Sequence, residues 1–132
     1  MSTTCYCVLL RKASRKVSSL YDEALAPLGV NIAQFSLLRN LRKMAPVSLT
    51  DLGERLELDR STIGRNTKVL QKMGLVSQIG GADHRETLLG LTAEGERVLV
   101  AGAPIWDGIQ EKLEDKLGAE RAAQLHDLLA LL

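Results

Sequence analysis

Residues 48–74 limit what this chain can become more than any other stretch. They read SLTDLGERLELDRSTIGRNTKVLQKMG. Ser48, followed three residues later by Asp51, predicts a capping box, in which each side chain takes up a free backbone N–H at a helix start. Leu49, Leu52 and Leu56 then recur at helical spacing as one buried stripe, and Leu58 closes the pattern. Asp59 is a good N-cap for a second helix, which carries Ile63, Leu70 and Met73 inward. Gly74 ends it, because glycine readily takes the left-handed conformation that stops a helix. Two short helices are thus joined by a tight turn.

The outer face of the second helix presents Arg60, Ser61, Thr62, Arg65, Lys68 and Lys72. A major groove admits one helix, and Arg, Ser, Thr and Asn side chains tell bases apart there. Two apolar-rich runs follow, 75–79 and 87–91, on either side of Gly80, Gly81, Ala82 and Asp83, and they predict a hairpin. A hairpin directly after a groove-reading helix is a wing. A basic helix face taken alone is usually only solvated. It is the order of the parts that points to DNA.

The rest of the chain agrees with a DNA reader in its charge distribution and not in its total. Net charge is only +1. Residues 1–91 carry 13 Lys and Arg against 8 Asp and Glu, whereas residues 92–132 carry 4 against 8. One end is built to meet phosphate. At 132 residues the expectation is a single domain, 1–132, mainly helical with a small β-hairpin. No run is long and apolar enough for a membrane span, and residues 1–10 lack the charged start and cleavage site of a signal peptide, so a cytoplasmic protein is expected. Four aromatic residues are too few for a platform that stacks single-stranded bases. Two cysteines do not make a disulfide framework.

Before the central stretch, residues 5–25 predict a long helix with Leu10, Ala13, Val17, Leu20 and Ala24 along one stripe. Pro27 and Gly29 break it. Asn31 with Gln34 is a second capping box, opening a helix to about Lys43 with Ile32, Phe35, Leu38 and Leu41 inward. Val47, after Pro46, fits a short strand beside the wing. After the wing, Thr92 caps a helix carrying Val98, Ile105, Ile109, Leu113 and Leu117, with Pro104 inside it as a candidate kink. Gly118 separates it from a last helix, 119–132, which holds Leu125, Leu128, Leu129, Leu131 and Leu132. That is more leucine than one small core can use. An intertwined dimer, formed with helix 5–25, is the natural place for it. A helix folded back on its own subunit is the alternative.

DRSTIGRNTKVLQKMGLV followed by ADHRETLLGLTAEG resembles the core signature of the MarR family of bacterial winged helix-turn-helix regulators. The shared residues are Asp59 to Thr62, Arg65, Gly74 to Val76, Asp83, Arg85, Leu91, Thr92 and Gly95. The resemblance implies a homodimer that binds double-stranded DNA at a near-palindromic operator. It implies a repressor released by a small ligand or by oxidation. No motif for a cofactor or metal is present, and none is expected. The winged-helix part would span about 46–91 and the dimerisation helices about 5–25 and 103–132. Arg60, Ser61, Thr62, Arg65 and Lys68 would meet the major groove, with Ser48 and Lys72 as further DNA contacts. At the wing, Asp83 would orient Arg85 toward the minor groove. His84 stands where the family more often has a second arginine, which makes contact there pH-dependent or weaker.

Cys5 and Cys7 are the remaining chemistry-bearing pair. Side chains at i and i+2 do not share a helix face, and His84 and His126 are distant in sequence, so a metal site is not expected. A redox role fits better. A thiol in the first turn of a helix sits at the positive end of its dipole, and Arg11 follows Cys7 by one turn. The segment 7–25 is similar to the first helix of MarR-type repressors that sense organic hydroperoxides, with Cys7 at the reactive position. Tyr21 matches one tyrosine that hydrogen-bonds that thiol, while Arg11 and Ile32 replace the other two. The effector is then a peroxide or a small aromatic acid. Otherwise Cys7 is a small buried apolar residue. No catalytic constellation is present. The rival readings are a small thiol-dependent peroxidase using Cys7 and a protein-interaction module that has lost DNA binding.

Overall fold

The computed structural model describes residues 3–80 and 87–132. Helix α1 (Tyr6–Leu25) starts at Cys5 and gives way to a 3₁₀ turn over Ala26–Leu28, where Pro27 sits and Gly29 turns left-handed at φ 78°. Helix α2 (Ile32–Met44) opens with the full capping box: the Gln34 N–H donates to Asn31 Oδ1 at 2.9 Å, and the Asn31 N–H donates to Gln34 Oε1 at 3.0 Å. Strand β1 (Val47–Ser48) leads into α3 (Leu49–Leu56) and α4 (Arg60–Lys72). Strands β2 (Val76–Ile79) and β3 (Leu88–Leu91) form the predicted hairpin. Helix α5 (Ala93–Leu117) runs unbroken through Pro104, and α6 (Ala119–Ala130) follows Gly118.

The sheet has the order β1-β3-β2, antiparallel throughout, with Val47 opposite Leu89 on one side and Gln78 opposite Leu89 on the other. The strand expected at Val47 is therefore present. The core lies where the end of α1, helices α2, α3 and α4, the sheet and the first half of α5 converge. Leu25, Phe35, Leu38, Leu41, Leu52, Ile63, Leu70 and Leu99 are all but fully buried there. Two glycines let elements close up. A Cβ on Gly102 would run into the Phe35 ring, and one on Gly95 would run into the Leu75 carbonyl. Arg39 stacks over Trp106 at 4.0 Å, and Arg42 pairs with Glu96 at 3.1 Å, so α2 is clamped along α5.

Two expectations about inward faces change. Met73 is exposed, because α4 ends just before it and the chain turns away; the third inward position on α4 is Thr67. Its hydroxyl donates to the carbonyls of Ile63 (2.9 Å) and Gly64 (3.1 Å), which is how a polar side chain can be buried here. Leu58 is 40% exposed and does not close the α3 stripe. The apolar stripe on α1 is not covered by this chain either: Leu10, Val17 and Leu20 face outward, and only Tyr21 and Leu25 are buried. Helix α6 has no buried residue at all.

Candidate nucleic-acid interface

The α3–α4 pair is fixed at each end by short-range hydrogen bonds. At the start of α3, Ser48 Oγ accepts from the Asp51 N–H at 3.1 Å. The returning half of the predicted box is absent, since the Ser48 backbone is part of β1, opposite Leu88. Ser48 is only 6% exposed, so it is a buried cap and not a groove-facing side chain. Between the helices, Glu57 takes the left-handed conformation (φ 55°, ψ 40°), and the Leu58 N–H donates to the Gly53 carbonyl at 2.9 Å. A Cβ on Gly53 would come within 3.0 Å of the Leu58 carbonyl oxygen, so the turn needs glycine there to stay this tight.

Asp59 caps α4. Its Oδ1 accepts from the Thr62 N–H (2.7 Å) and from the Ser61 hydroxyl (2.9 Å). The hydrogen bond from the Thr62 backbone, then those from the Thr62 and Ser61 side chains, hold the Asp59 carboxyl below the usual carboxylate range. At the other end, the Leu75 N–H donates to the Leu70 carbonyl and the Gly74 N–H to the Gln71 carbonyl, both at 3.0 Å, with Gly74 at φ 76°. This is a Schellman stop, with buried Leu70 and Leu75 supplying its apolar contact. Thr92 then ties the exit of α4 to the start of α5. Its hydroxyl donates to the Gly74 carbonyl (2.6 Å) and accepts from the Gly95 N–H (3.1 Å), while its own N–H donates to the Leu75 carbonyl (3.1 Å).

So braced, α4 turns Ile63, Thr67 and Leu70 into the core and leaves Ser61, Arg65, Lys68 and Lys72 on the opposite, exposed face, at i, i+4, i+7 and i+11. Arg60 lies on a flank of that face and reaches back to the Thr50 hydroxyl at 3.4 Å, and Thr62 is half-buried. Sequence reasoning missed Thr50 because a bond ten residues away in the chain leaves no periodic trace. Asp83, His84 and Arg85, the residues assigned to the wing tip, lie outside the described residues.

The proposed redox group does not come together within one chain. Cys5 is the N-cap position of α1, and Cys7 is exposed in the single chain. Arg11 is exposed one turn on. Tyr21 is 14 residues further along the same helix than Cys7, roughly 21 Å at 1.5 Å per residue, so it cannot bond that thiol in its own subunit. Its hydroxyl instead bonds the Gln110 side chain on α5, and burial, then the Glu114 carboxylate, push its phenol above the ordinary value. Beside it, Val17, Leu113, Leu117, Ala122 and Leu125 line an open groove of about 560 Å³ between α1, α5 and α6. Among the described residues no helix is long and apolar enough to cross a membrane.

A capped two-helix reader followed by a small antiparallel hairpin defines a winged helix-turn-helix protein. The sequence profile of the MarR family matches residues 28–86. The M. tuberculosis transcriptional regulator MosR, solved in complex with DNA, is 31% identical and superposes with a TM-score of 0.80 over 95% of this chain and 93% of that one. The chain belongs to the MarR family. Among proteins of Bacillus subtilis (strain 168), the HTH-type transcriptional regulator YwoH is 31% identical over 88 residues, 67% of this chain and 64% of that protein. The organic hydroperoxide resistance transcriptional regulator is 29% identical over 90 residues, 67% of this chain and 61% of that protein. The chain thus spans a little under two thirds of the length of these relatives.

Proposed function

We propose that this chain is a homodimeric regulator of transcription that binds double-stranded DNA at a near-palindromic operator and acts as a repressor. The observation that carries the reading is the exposed face of α4, where Ser61, Arg65, Lys68 and Lys72 stand in one row on a helix capped at both ends. Arg65 reads a base edge, Lys68 and Lys72 meet phosphates, and Arg60 braces against Thr50 at the rim. Arg85, two residues after Asp83 with His84 between them, enters the minor groove. The winged-helix part spans about 46–91, and the helices about 5–25 and 103–132 form the dimer. That MosR was solved with DNA supports the partner assignment. The test uses duplexes enriched by the wild-type protein from a randomised pool. Arg65→Ala should cost roughly 1–3 kcal/mol on the enriched sequence, with relaxed preference at one position. Lys72→Ala should weaken all duplexes about equally and lower the salt slope by about one. If both bind as wild type does, α4 is not the reading element.

Release from DNA is assigned to the region of α1, α5 and α6. A small aromatic acid in the groove beside Val17 and Leu113 would act there, as would a hydroperoxide that oxidises the exposed Cys7 thiol to a sulfenic acid, leaving an alcohol. The similarity to the hydroperoxide resistance regulator of B. subtilis supports the second trigger.

A further inference from the structure

Glycine is the least favourable residue in a helix interior after proline, so each one there calls for a reason. Gly53, Gly95 and Gly102 have reasons inside the molecule: a Cβ on each would press on Leu58, Leu75 or Phe35. Gly64 has none. It sits in the middle of α4, with ordinary helical geometry, and a Cβ added to it would meet nothing within 4 Å. Gly108, on the outer side of α5, is the other helical glycine with open space around its missing side chain.

The surroundings of Gly64 say what the open space is for. Arg60 and Lys68 lie one turn before and one turn after it, and Ser61 lies three residues before it. The missing side chain therefore leaves a notch floored by backbone and flanked by two cations. Arg60 leans from the notch toward Thr50 at the start of α3. The floor is held in place, because the Thr67 hydroxyl bonds the Gly64 carbonyl at 3.1 Å. A strip of bare backbone between two cations suits a sugar–phosphate strand better than a base, which the proposed reading places under the Arg65 face.

We propose that Gly64 is the point of closest approach between α4 and one DNA strand, and that the bare Cα there is required by the DNA complex and not by the fold. This rests on the DNA-binding reading above. The test is Gly64→Ala, with Gly64→Leu as the larger step, measured by thermal melting and by binding to the duplex that wild type enriches from a randomised pool. Gly64→Ala should raise Tm by about 2–6 °C, as replacing an unconstrained helical glycine does. It should weaken binding by about tenfold or more, Gly64→Leu further, without changing which sequence is enriched. A variant with raised Tm and affinity within twofold of wild type overturns the proposal. So does a lowered Tm, which would mean the fold itself needs the glycine, or a changed enriched sequence, which would put a base in the notch. Arg65→Ala run in parallel separates the two levels. If wild type enriches no duplex, the DNA reading fails; if Arg65→Ala loses binding and Gly64→Ala does not, only the notch assignment fails.

Discussion

The reader and the two outer helices are built on opposite plans. In the reader, α3 and α4 are short, yet every end is tied: Ser48 and Asp59 cap the starts, Glu57 and Gly74 make the stops, and Leu52, Ile63 and Leu70 are fully buried. In α1 and α6 the helices are well formed but carry their apolar side chains outward. Leu128 is 61% exposed and Leu131 82%, and Leu9, Leu10 and Leu20 on α1 are also open. An exposed apolar surface of that extent marks an interaction site, which the proposed dimer would cover. The difference teaches that the reader is complete in one chain, whereas the outer helices leave their apolar faces for the proposed second subunit. It also separates two kinds of substitution, those that damage the fold and those that damage only the assembly.

Leu128→Asp combined with Leu129→Asp tests the assembly side most severely. Both side chains face solvent in the single chain, so the subunit should still fold and show a normal helical signal. Sedimentation should find a monomer, and operator affinity should fall by about 10²- to 10⁴-fold as bivalent binding is lost. A double variant that stays dimeric breaks the contrast. Gly95→Ala tests the other side. The added methyl would push against the Leu75 carbonyl at the joint between α4 and α5, and should destabilise the fold by about 1–3 kcal/mol, read as a lowered midpoint in urea. An unchanged midpoint would mean that the joint is looser than drawn. Cys7→Ser sharpens the comparison with the smallest effect on binding itself. Operator affinity should remain within about twofold of wild type, since the side chain is exposed and isosteric. Release by added hydroperoxide, followed by gel shift, should be lost. Equal release from both proteins would take oxidation out of the account and leave a small aromatic acid as the trigger.

What could be read from the sequence follows the range of the signals. Capping depends on residues three apart, so Asn31 with Gln34, Ser48, Asp59, Gly74 and Thr92 all announced helix ends that the structure has. The hairpin and the strand at Val47 were legible from apolar runs and breakers. Position within a face was less legible. Thr67 looks polar but is buried because it bonds its own helix, and Met73 looks apolar but falls beyond the last turn. Glu57 gave no sign of its left-handed backbone, since glutamate is not a residue that favours it. The reach of Arg60 to Thr50 and the close packing at Gly95 and Gly102 depend on how elements meet in space. Ser48 had the right local role and the wrong functional one: a hydroxyl spent on the Asp51 N–H and buried by the sheet is not free for a groove.

The knot at Thr92 turns α5 into a lever. Its hydroxyl bridges Gly74 at the end of the reader and Gly95 in the first turn of α5, so one side chain ties the two together. The 25 residues of α5 make an arm roughly 37 Å long. Pivoted at its far end, among α1 and α6, such an arm needs to swing by only about 5° to carry the reader some 3 Å, close to the ~3.4 Å step between neighbouring base pairs. In the proposed dimer, a molecule no bigger than a benzoate lodged at that end would put two readers out of step with the helical repeat without disturbing a single contact inside either of them.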